Sequence, residues 1–364
     1  MSRVDINNVW KIYDGDVEAV QDLNFFIEDG EFLAVLGPSG CGKSTTLRMI
    51  AGLEDITRGE IRFDGKVVND LSPSKRNLAL AFESYALYAR LNVHENIAFP
   101  MRAKGMSRAE ADKKVMWIAD ILNVTDILKK KPGSLSGGHK QRVNLCRALV
   151  RQPNITLLDE PISHMDVRVR ANMRARIRRL HDELKLTTIY VTHDQEEAVS
   201  LADRVAVMNH AKLQQIGTVD EIWNHPANRF VATFVGEPEM NFIKGRIENK
   251  SQVSISTQNG KSIFPFDGAV DEKFVGSEIT VGVRPQQIRL SKAGNGNDGI
   301  PGVVDLTQFQ GESVIVTVIL DDLEKNEVKA VIETEWLPEP GEKVLLEMAP
   351  ETIHLFDGEM PILQ

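Results

Sequence analysis

Five consecutive apolar residues, Phe32-Leu33-Ala34-Val35-Leu36, precede a glycine-rich stretch, and the segment Thr45-Thr46-Leu47-Arg48-Met49-Ile50 after it has the spacing of a helix. An unbroken apolar run of this length suits a strand buried on both faces, so the segment reads as strand, loop, helix. Two further short apolar runs, 155–158 and 188–191, end in polar residues, as parallel strands do when they deliver side chains to their carboxyl edge. The expected core is therefore an α/β parallel sheet. Ser107 and Glu110 stand at capping-box spacing ahead of Val115, Ile118, Ala119 and Leu122, an apolar stripe of helical period. A mostly helical subdomain is expected at about residues 85–152. Beyond Gly236 the period changes to two. Short alternating runs at 252–256, 279–283, 314–320, 328–332 and 343–346 are separated by Gly, Asn and Asp, notably across 293–299, which predicts a small all-β barrel domain.

Charge shifts at the same place. Residues 236–364 hold 11 Lys+Arg against 22 Asp+Glu, a net of −11, leaving 32 basic and 30 acidic residues, net +2, in the rest of the 364-residue chain. Two domains are expected, 1–235 and 236–364. A total of −9 excludes a general nucleic-acid binder. Arg168, Arg170, Arg174, Arg176, Arg178 and Arg179 crowd one helical stretch, but no aromatics interleave to stack on bases, so a solvated face is expected there. The two cysteines, Cys41 and Cys146, have neither disulfide-framework nor zinc spacing. No stretch reaches the roughly 18 apolar residues of a membrane span, and the first residues lack a signal peptide's apolar core, so a cytoplasmic location is expected.

Gly37-Pro38-Ser39-Gly40-Cys41-Gly42-Lys43-Ser44 fits the P-loop pattern G-x-x-x-x-G-K-[ST] between a predicted strand and a predicted helix. Its glycines let successive backbone N–H groups and the helix end surround a nucleotide's phosphates. Lys43 neutralises the β/γ-phosphates, Ser44 offers a hydroxyl to Mg²⁺, and Thr45 reaches the α-phosphate. The 155–158 run ends in Asp159-Glu160. Asp159 is suited to orienting Mg²⁺, and Glu160 to polarising a water as general base.

Leu135-Ser136-Gly137-Gly138-His139, followed by Lys140-Gln141-Arg142, resembles the LSGGQ signature of ATP-binding-cassette (ABC) proteins and lies 23 residues before Asp159. Ser136 reads as the N-cap of a helix through Leu149, with bare N–H groups that suit a phosphate. The resemblance implies that this turn, with Asp166, contacts the nucleotide held by the P-loop of a second ATPase subunit, identical or paralogous. It implies that His193, 33 residues after Glu160, is the switch histidine that meets the γ-phosphate, and that adenine stacks on Tyr13. The segments 84–88, 190–195, 234–242 and 281–285 narrow the resemblance to the maltose and glycerol-phosphate importer ATPases. For that branch the implied C-terminal domain is OB-like and regulatory. The implied partners are two integral-membrane permease subunits docking near residues 84–88 and, indirectly, an extracytoplasmic solute-binding protein. The implied place of work is the cytoplasmic face of the inner membrane.

Three positions depart from the family. Glu83 stands where relatives have a glutamine that contacts Mg²⁺; an ionised carboxylate can ligate the metal but cannot donate a hydrogen bond, and it repels the γ-phosphate. His139 replaces the signature glutamine, and Ser163-His164-Met165-Asp166 replaces Ser-Asn-Leu-Asp. Slow hydrolysis, or pairing with a different ATPase subunit, would follow from such changes. Three other readings stay open: a non-transport cassette ATPase, a P-loop small-molecule kinase, and an ATP-binding regulatory subunit with weak turnover.

Overall fold

The apolar runs fold as the period predicts. In a computed structural model that describes residues 2–258, 260–293, 299–334 and 336–363, the chain divides into two compact units, Met1–Val219 and Asp220–Gln364. The first contains, in chain order, β1 (Val4–Tyr13), β2 (Val17–Ile27), β3 (Phe32–Leu36), α1 (Lys43–Ala51), β4 (Arg58–Phe63), β5 (Lys66–Val67) and β6 (Leu78–Ala81). Next come α2 (Val93–Arg102), α3 (Arg108–Ile121), α4 (Gly137–Leu149), β7 (Ile155–Asp159), α5 (Val167–Leu184), β8 (Thr187–Thr192), α6 (Gln195–Leu201), β9 (Arg204–Asn209) and β10 (Lys212–Gly217).

Six strands form one sheet in the order β10-β9-β3-β8-β7-β6, parallel from β9 to β6, with β10 added antiparallel. Every residue of β3, β7 and β8 is buried, which is why these strands read as unbroken apolar runs. An antiparallel sheet β2-β1-β4-β5, which the sequence reading did not foresee, lies beside the same core. Its signal is weak because the β1–β2 register shifts three times and Asn8 has positive φ, so inward Val4, Ile6 and Val9 break strict alternation.

The expected helical subdomain is α2, α3 and α4. Val93, Ile97, Met101, Val115, Ile118, Ala119, Leu122, Val143 and Cys146 are fully buried in one cluster, each large aliphatic side chain contributing about 1.5–3 kcal/mol. The capping box forms as read: Ser107 Oγ accepts from Glu110 N at 3.3 Å, and Glu110 Oε2 accepts from Ser107 N at 3.3 Å.

In the second unit α7 (Val219–Asn224) and α8 (Arg229–Phe234) precede strands β11 (Asn241–Asn249), β12 (Gln252–Thr257), β13 (Gly260–Pro265), β14 (Glu278–Val283), β15 (Ile288–Lys292), β16 (Ile300–Phe309), β17 (Ser313–Leu320), β18 (Glu327–Glu333), β19 (Lys343–Met348), β20 (His354–Asp357) and β21 (Met360–Pro361). They make two antiparallel sheets, β13-β12-β11-β14-β20-β21 and β15-β19-β16-β17-β18, over a shared core. Of the glycine- and asparagine-rich connection expected at 293–299, residues 294–298 lie outside the described residues. The compact units part at Val219, sixteen residues before the shift in composition. The reason is Arg284, fully buried, whose guanidinium donates to Trp223 O at 2.7 and 3.0 Å and to Val235 O at 2.6 Å, drawing α7 and α8 into the β-rich unit.

Candidate active site

The sheet order sets which residues meet. Neighbouring parallel strands β3, β8, β7 and β6 end at one edge, and the chain leaving them carries Gly37, His193, Asp159-Glu160 and Glu83 respectively. After β3 the backbone turns through Gly40 and Gly42, whose φ of +80° and +105° suit glycine. A Cβ on Gly42 would lie 2.5 Å from Ala19 O, so no other residue fits there. Ser39 and Gly40 are exposed, Pro38, Ser44 and Thr45 half-buried, and Gly37 and Cys41 buried. Burial raises the Cys41 thiol pKa, so it stays protonated. Lys43, at the first turn of α1, is buried, and its Nζ donates to Gly37 O at 2.7 Å and Pro38 O at 2.9 Å. The ammonium therefore sits inside the loop it serves.

Ser44 Oγ donates to Asp159 Oδ1 at 3.0 Å, joining the P-loop helix to the end of β7. Burial pushes the Asp159 carboxyl up, and the charges of Glu160 and Glu83 add to this; the Ser44 hydrogen bond and Arg48 oppose it. Glu160 leaves β7 with a positive φ of 44°, a conformation costing about 1–2 kcal/mol outside glycine. Its N–H donates to Val191 O of β8 at 2.9 Å, and Glu160 Oε1 lies 2.9 Å from His193 Nδ1. Glu197, buried on α6, holds that end of β8 by accepting from Tyr190 Oη and Thr192 Oγ1, both at 2.8 Å. Arg170 of α5 pairs with Asp194 at 2.9 Å.

Glu83 is exposed in the turn after β6. The stretch that follows is strapped down from two helices. Asn144 of α4 donates to Phe82 O at 2.7 Å, and Arg147 of α4 donates to Tyr85 O at 2.9 Å and to Ala86 O. From α2, Asn96 brackets Tyr88, accepting its N–H at 2.8 Å and donating to its carbonyl at 3.1 Å. Tyr85 and Ala86 both have positive φ.

Ser136 caps α4 as read, accepting from His139 N at 3.4 Å, with Leu135 buried beneath and Gly137 and Gly138 half-exposed. Asp166 begins α5 without a side-chain capping bond and is exposed. Tyr13 is 36% exposed, with Lys11 Nζ 4.7 Å from its ring centroid. Among the described residues no hydrogen bond or ion pair joins residues 135–139 or Tyr13 to the P-loop. The structure thus assembles the P-loop, Asp159, Glu160 and His193 within one chain, with Glu83 beside them, and leaves the signature turn facing outward.

Sequence reasoning missed Gln141. It is 2% exposed; its Nε2 donates to Ser163 Oγ at 3.2 Å and Glu160 O at 3.4 Å, and its Oε1 accepts from His164 N at 3.2 Å. Its place directly after the signature was the available signal. Five of the six arginines of α5 are engaged within the fold: Arg170 with Asp194, Arg174 with Glu196, Arg178 with Asp182 and Asp203, Arg179 with Glu183, and Arg176 with Asn172 and Ile121 O. Among the described residues no three His, Cys, Asp or Glu side chains cluster to hold a metal alone, and no helix is long and apolar enough to cross a membrane.

Comparison with known proteins agrees with this geometry. Residues 20–163 match the ABC transporter family, 236–288 the MalK OB fold domain and 281–356 the TOBE domain. The chain is 40% identical to the sn-glycerol-3-phosphate import ATP-binding protein UgpC 2 of Agrobacterium fabrum, over 98% of this chain and 93% of that protein. It is 39% identical to the maltose/maltodextrin import ATP-binding protein MalK of Mannheimia succiniciproducens, over 98% and 96%. It is 40% identical to the xylose/arabinose import ATP-binding protein XacK of Haloferax volcanii, over 99% and 94%. Among solved structures, the dimeric post-hydrolysis state of the ATP-binding cassette MJ0796 bound to ADP and Pi superposes with a TM-score of 0.56 at 29% identity, covering 59% of this chain and 98% of that one. The chain belongs to the ATP-binding proteins of ABC transporters, in the carbohydrate-importer branch of the maltose and sn-glycerol-3-phosphate import proteins, and is an ATP-hydrolysing transport ATPase.

Proposed function

We propose that this chain energises uptake of a sugar, polyol or glycerol-type solute by working as one of two ATPase subunits that close face to face beneath two permease subunits, at the cytoplasmic face of the membrane. The reading rests above all on the Glu160–His193 contact of 2.9 Å beside the Ser44–Asp159 bond of 3.0 Å, at the sheet edge where the P-loop opens. Lys43 exchanges the Gly37 and Pro38 carbonyls for phosphate oxygens. Glu160 takes the proton of the attacking water, and His193, fixed through one ring nitrogen, offers the other to the γ-phosphate. The outward signature turn, Leu135 to His139 with Asp166, then covers the nucleotide of the opposing subunit, and adenine rests on Tyr13.

The donors present fit Mg²⁺. Ser44 Oγ and Asp159 Oδ1 are hard oxygen ligands in contact, and the crowding of Asp159 by Glu160 and Glu83 favours a cation. When bound, the ion would neutralise charge on the β- and γ-phosphates, with Glu83 as a further oxygen donor.

Differential affinity of ATP for the closed pair does the work, since a ligand shifts a conformational equilibrium only by that difference. The strapped segment from Phe82 to Tyr88 is the surface through which closure reaches the permeases. Turnover in the assembled importer is the test: phosphate release that survives Glu160→Gln, or a nucleotide-trapped form that stays monomeric, would remove this reading.

A second reading has its own support. Glu83, His139 and His164 all depart from the family on the surface turned to the partner, and the charge of Glu83 acts on Asp159. In this reading the chain forms one half of an unequal pair with a paralogous ATPase, and its own site turns over slowly. Native mass spectrometry of the co-expressed subunits decides between self-pairing and mixed pairing.

A further inference from the structure

The hydroxyl of Ser136 has two suitors inside its own chain. Ser136 Oγ lies 2.7 Å from His139 Nδ1, and it also accepts the His139 backbone N–H at 3.4 Å. We propose that His139 competes with the partner's bound phosphate for the single Ser136 hydrogen, so that closure on ATP takes up a proton at this imidazole. The proposal deepens the reading of the signature as a cap on the opposing nucleotide and rests on it.

A hydroxyl carries one hydrogen, and phosphate oxygens only accept. With His139 neutral and its proton on Nε2, Nδ1 accepts the Ser136 hydrogen, so Oγ turns lone pairs toward an incoming phosphate. Adding a proton reverses the bond. Nδ1–H then donates to Oγ, the hydroxyl hydrogen swings free toward the phosphate, and a positive charge appears at the N-terminal turn of α4. The balance is simple: one solvent proton forms the Nδ1–H bond, the Ser136 O–H bond stays intact, and its hydrogen turns from the imidazole to the ligand.

The surroundings keep the free chain in the neutral state. Burial depresses the His139 pKa below the ordinary histidine value, and the cations Arg142 on its own helix and Lys130 on the preceding connection add to that; Asp126, in the turn 125–127, opposes them. A phosphate from the partner reverses that balance and raises the imidazole pKa. Because proton and anion favour one another's binding, each strengthens the other by the same factor. Affinity for ATP therefore rises as pH falls through the pKa of the bound form and levels off below that of the free form. A glutamine, as in the family signature, has no proton to take up.

The test uses the assembled importer carrying Glu160→Gln to stop turnover, with ATP binding followed by calorimetry in two buffers of different ionisation enthalpy at pH 7. The expected result is uptake of about half a proton to one proton more per His139 site than in the His139→Gln form, and ATP binding about 3- to 10-fold tighter at pH 6.5 than at pH 8 that flattens in His139→Gln. Equal proton uptake and equal pH dependence in the two forms would overturn the proposal. Ser136→Ala separates the two layers. If it weakens ATP-driven closure while His139→Gln changes no proton count, only the role of His139 falls; if closure is indifferent to Ser136→Ala, the signature reading beneath it falls as well.

Discussion

Gln141 reaches from the helix that follows the signature turn to Ser163 of the loop before α5, 3.2 Å away, and its side chain is buried with three partners. One amide thus links three pieces of the chain: the helix that follows the signature turn, the loop before α5, and the carbonyl of Glu160. The consequence is a linkage that leucine cannot replace.

Gln141→Leu keeps the volume and removes every hydrogen bond. Losing these bonds costs about 1–3 kcal/mol, because the His164 N–H is left without its acceptor, while Ser163 Oγ keeps its bond to Glu160 O. The expected outcome is a modest drop in melting temperature with turnover down by at least tenfold and ATP affinity of the isolated chain unchanged. If turnover holds while stability drops, Gln141 serves the fold alone.

Glu160→Gln leaves the size of the side chain intact and removes the base. General-base catalysis is worth roughly 10²–10⁴ in rate, so phosphate release in the assembled importer should fall by that order while ATP binding persists. His193→Ala should produce a comparable loss without disturbing the Glu160 N–H to Val191 O bond, which measures the Glu160–His193 contact as a unit rather than as two independent groups.

Glu83 puts a second carboxylate within electrostatic reach of Asp159. Two unit charges about 4 Å apart at an effective dielectric near 20 interact by roughly 4 kcal/mol, and exposure to solvent at Glu83 reduces that considerably. Glu83→Gln should raise turnover, by about tenfold rather than the thousandfold an unscreened charge would give. A rate unchanged or lowered by the substitution would mean that the carboxylate is tolerated as a metal ligand, and the case for slow hydrolysis would go with it.

How much of this was legible in the sequence depended on the range of the interaction. The P-loop, the strand end at Asp159 and the capping turns at Ser107 and Ser136 are local, so spacing and residue type locate them directly. The straps are not. Arg147 binds carbonyls 61 and 62 residues away, and Arg76 is buried donating to Met49 O and Ile50 O at the end of the P-loop helix. In a period-based reading such arginines count as solvent-facing charge, because nothing in the pattern announces the bare carbonyls they satisfy. Arg284 acts over a similar range: composition changes at Gly236, and its bonds to Trp223 and Val235 join α7 and α8 to the β-rich unit.

The β-rich unit should also be the acid-sensitive one. His354 on β20 is half-buried, and burial holds its imidazole down to about 4, with the nearby Arg284 guanidinium and the His225 ring reinforcing the effect. The fold therefore favours the neutral ring. The stability this contributes is complete above the ordinary histidine value near 6.5 and is lost as pH falls through about 4. Two units of that window, at about 1.4 kcal/mol each, amount to about 2–3 kcal/mol at pH 4.5. His354→Gln removes the titrating group, so the fall in melting temperature between pH 7.5 and pH 4.5, followed by the fluorescence of Trp223 and Trp336, should be shallower in the variant than in the parent chain. Parallel curves for the two proteins would assign the acid response to other groups.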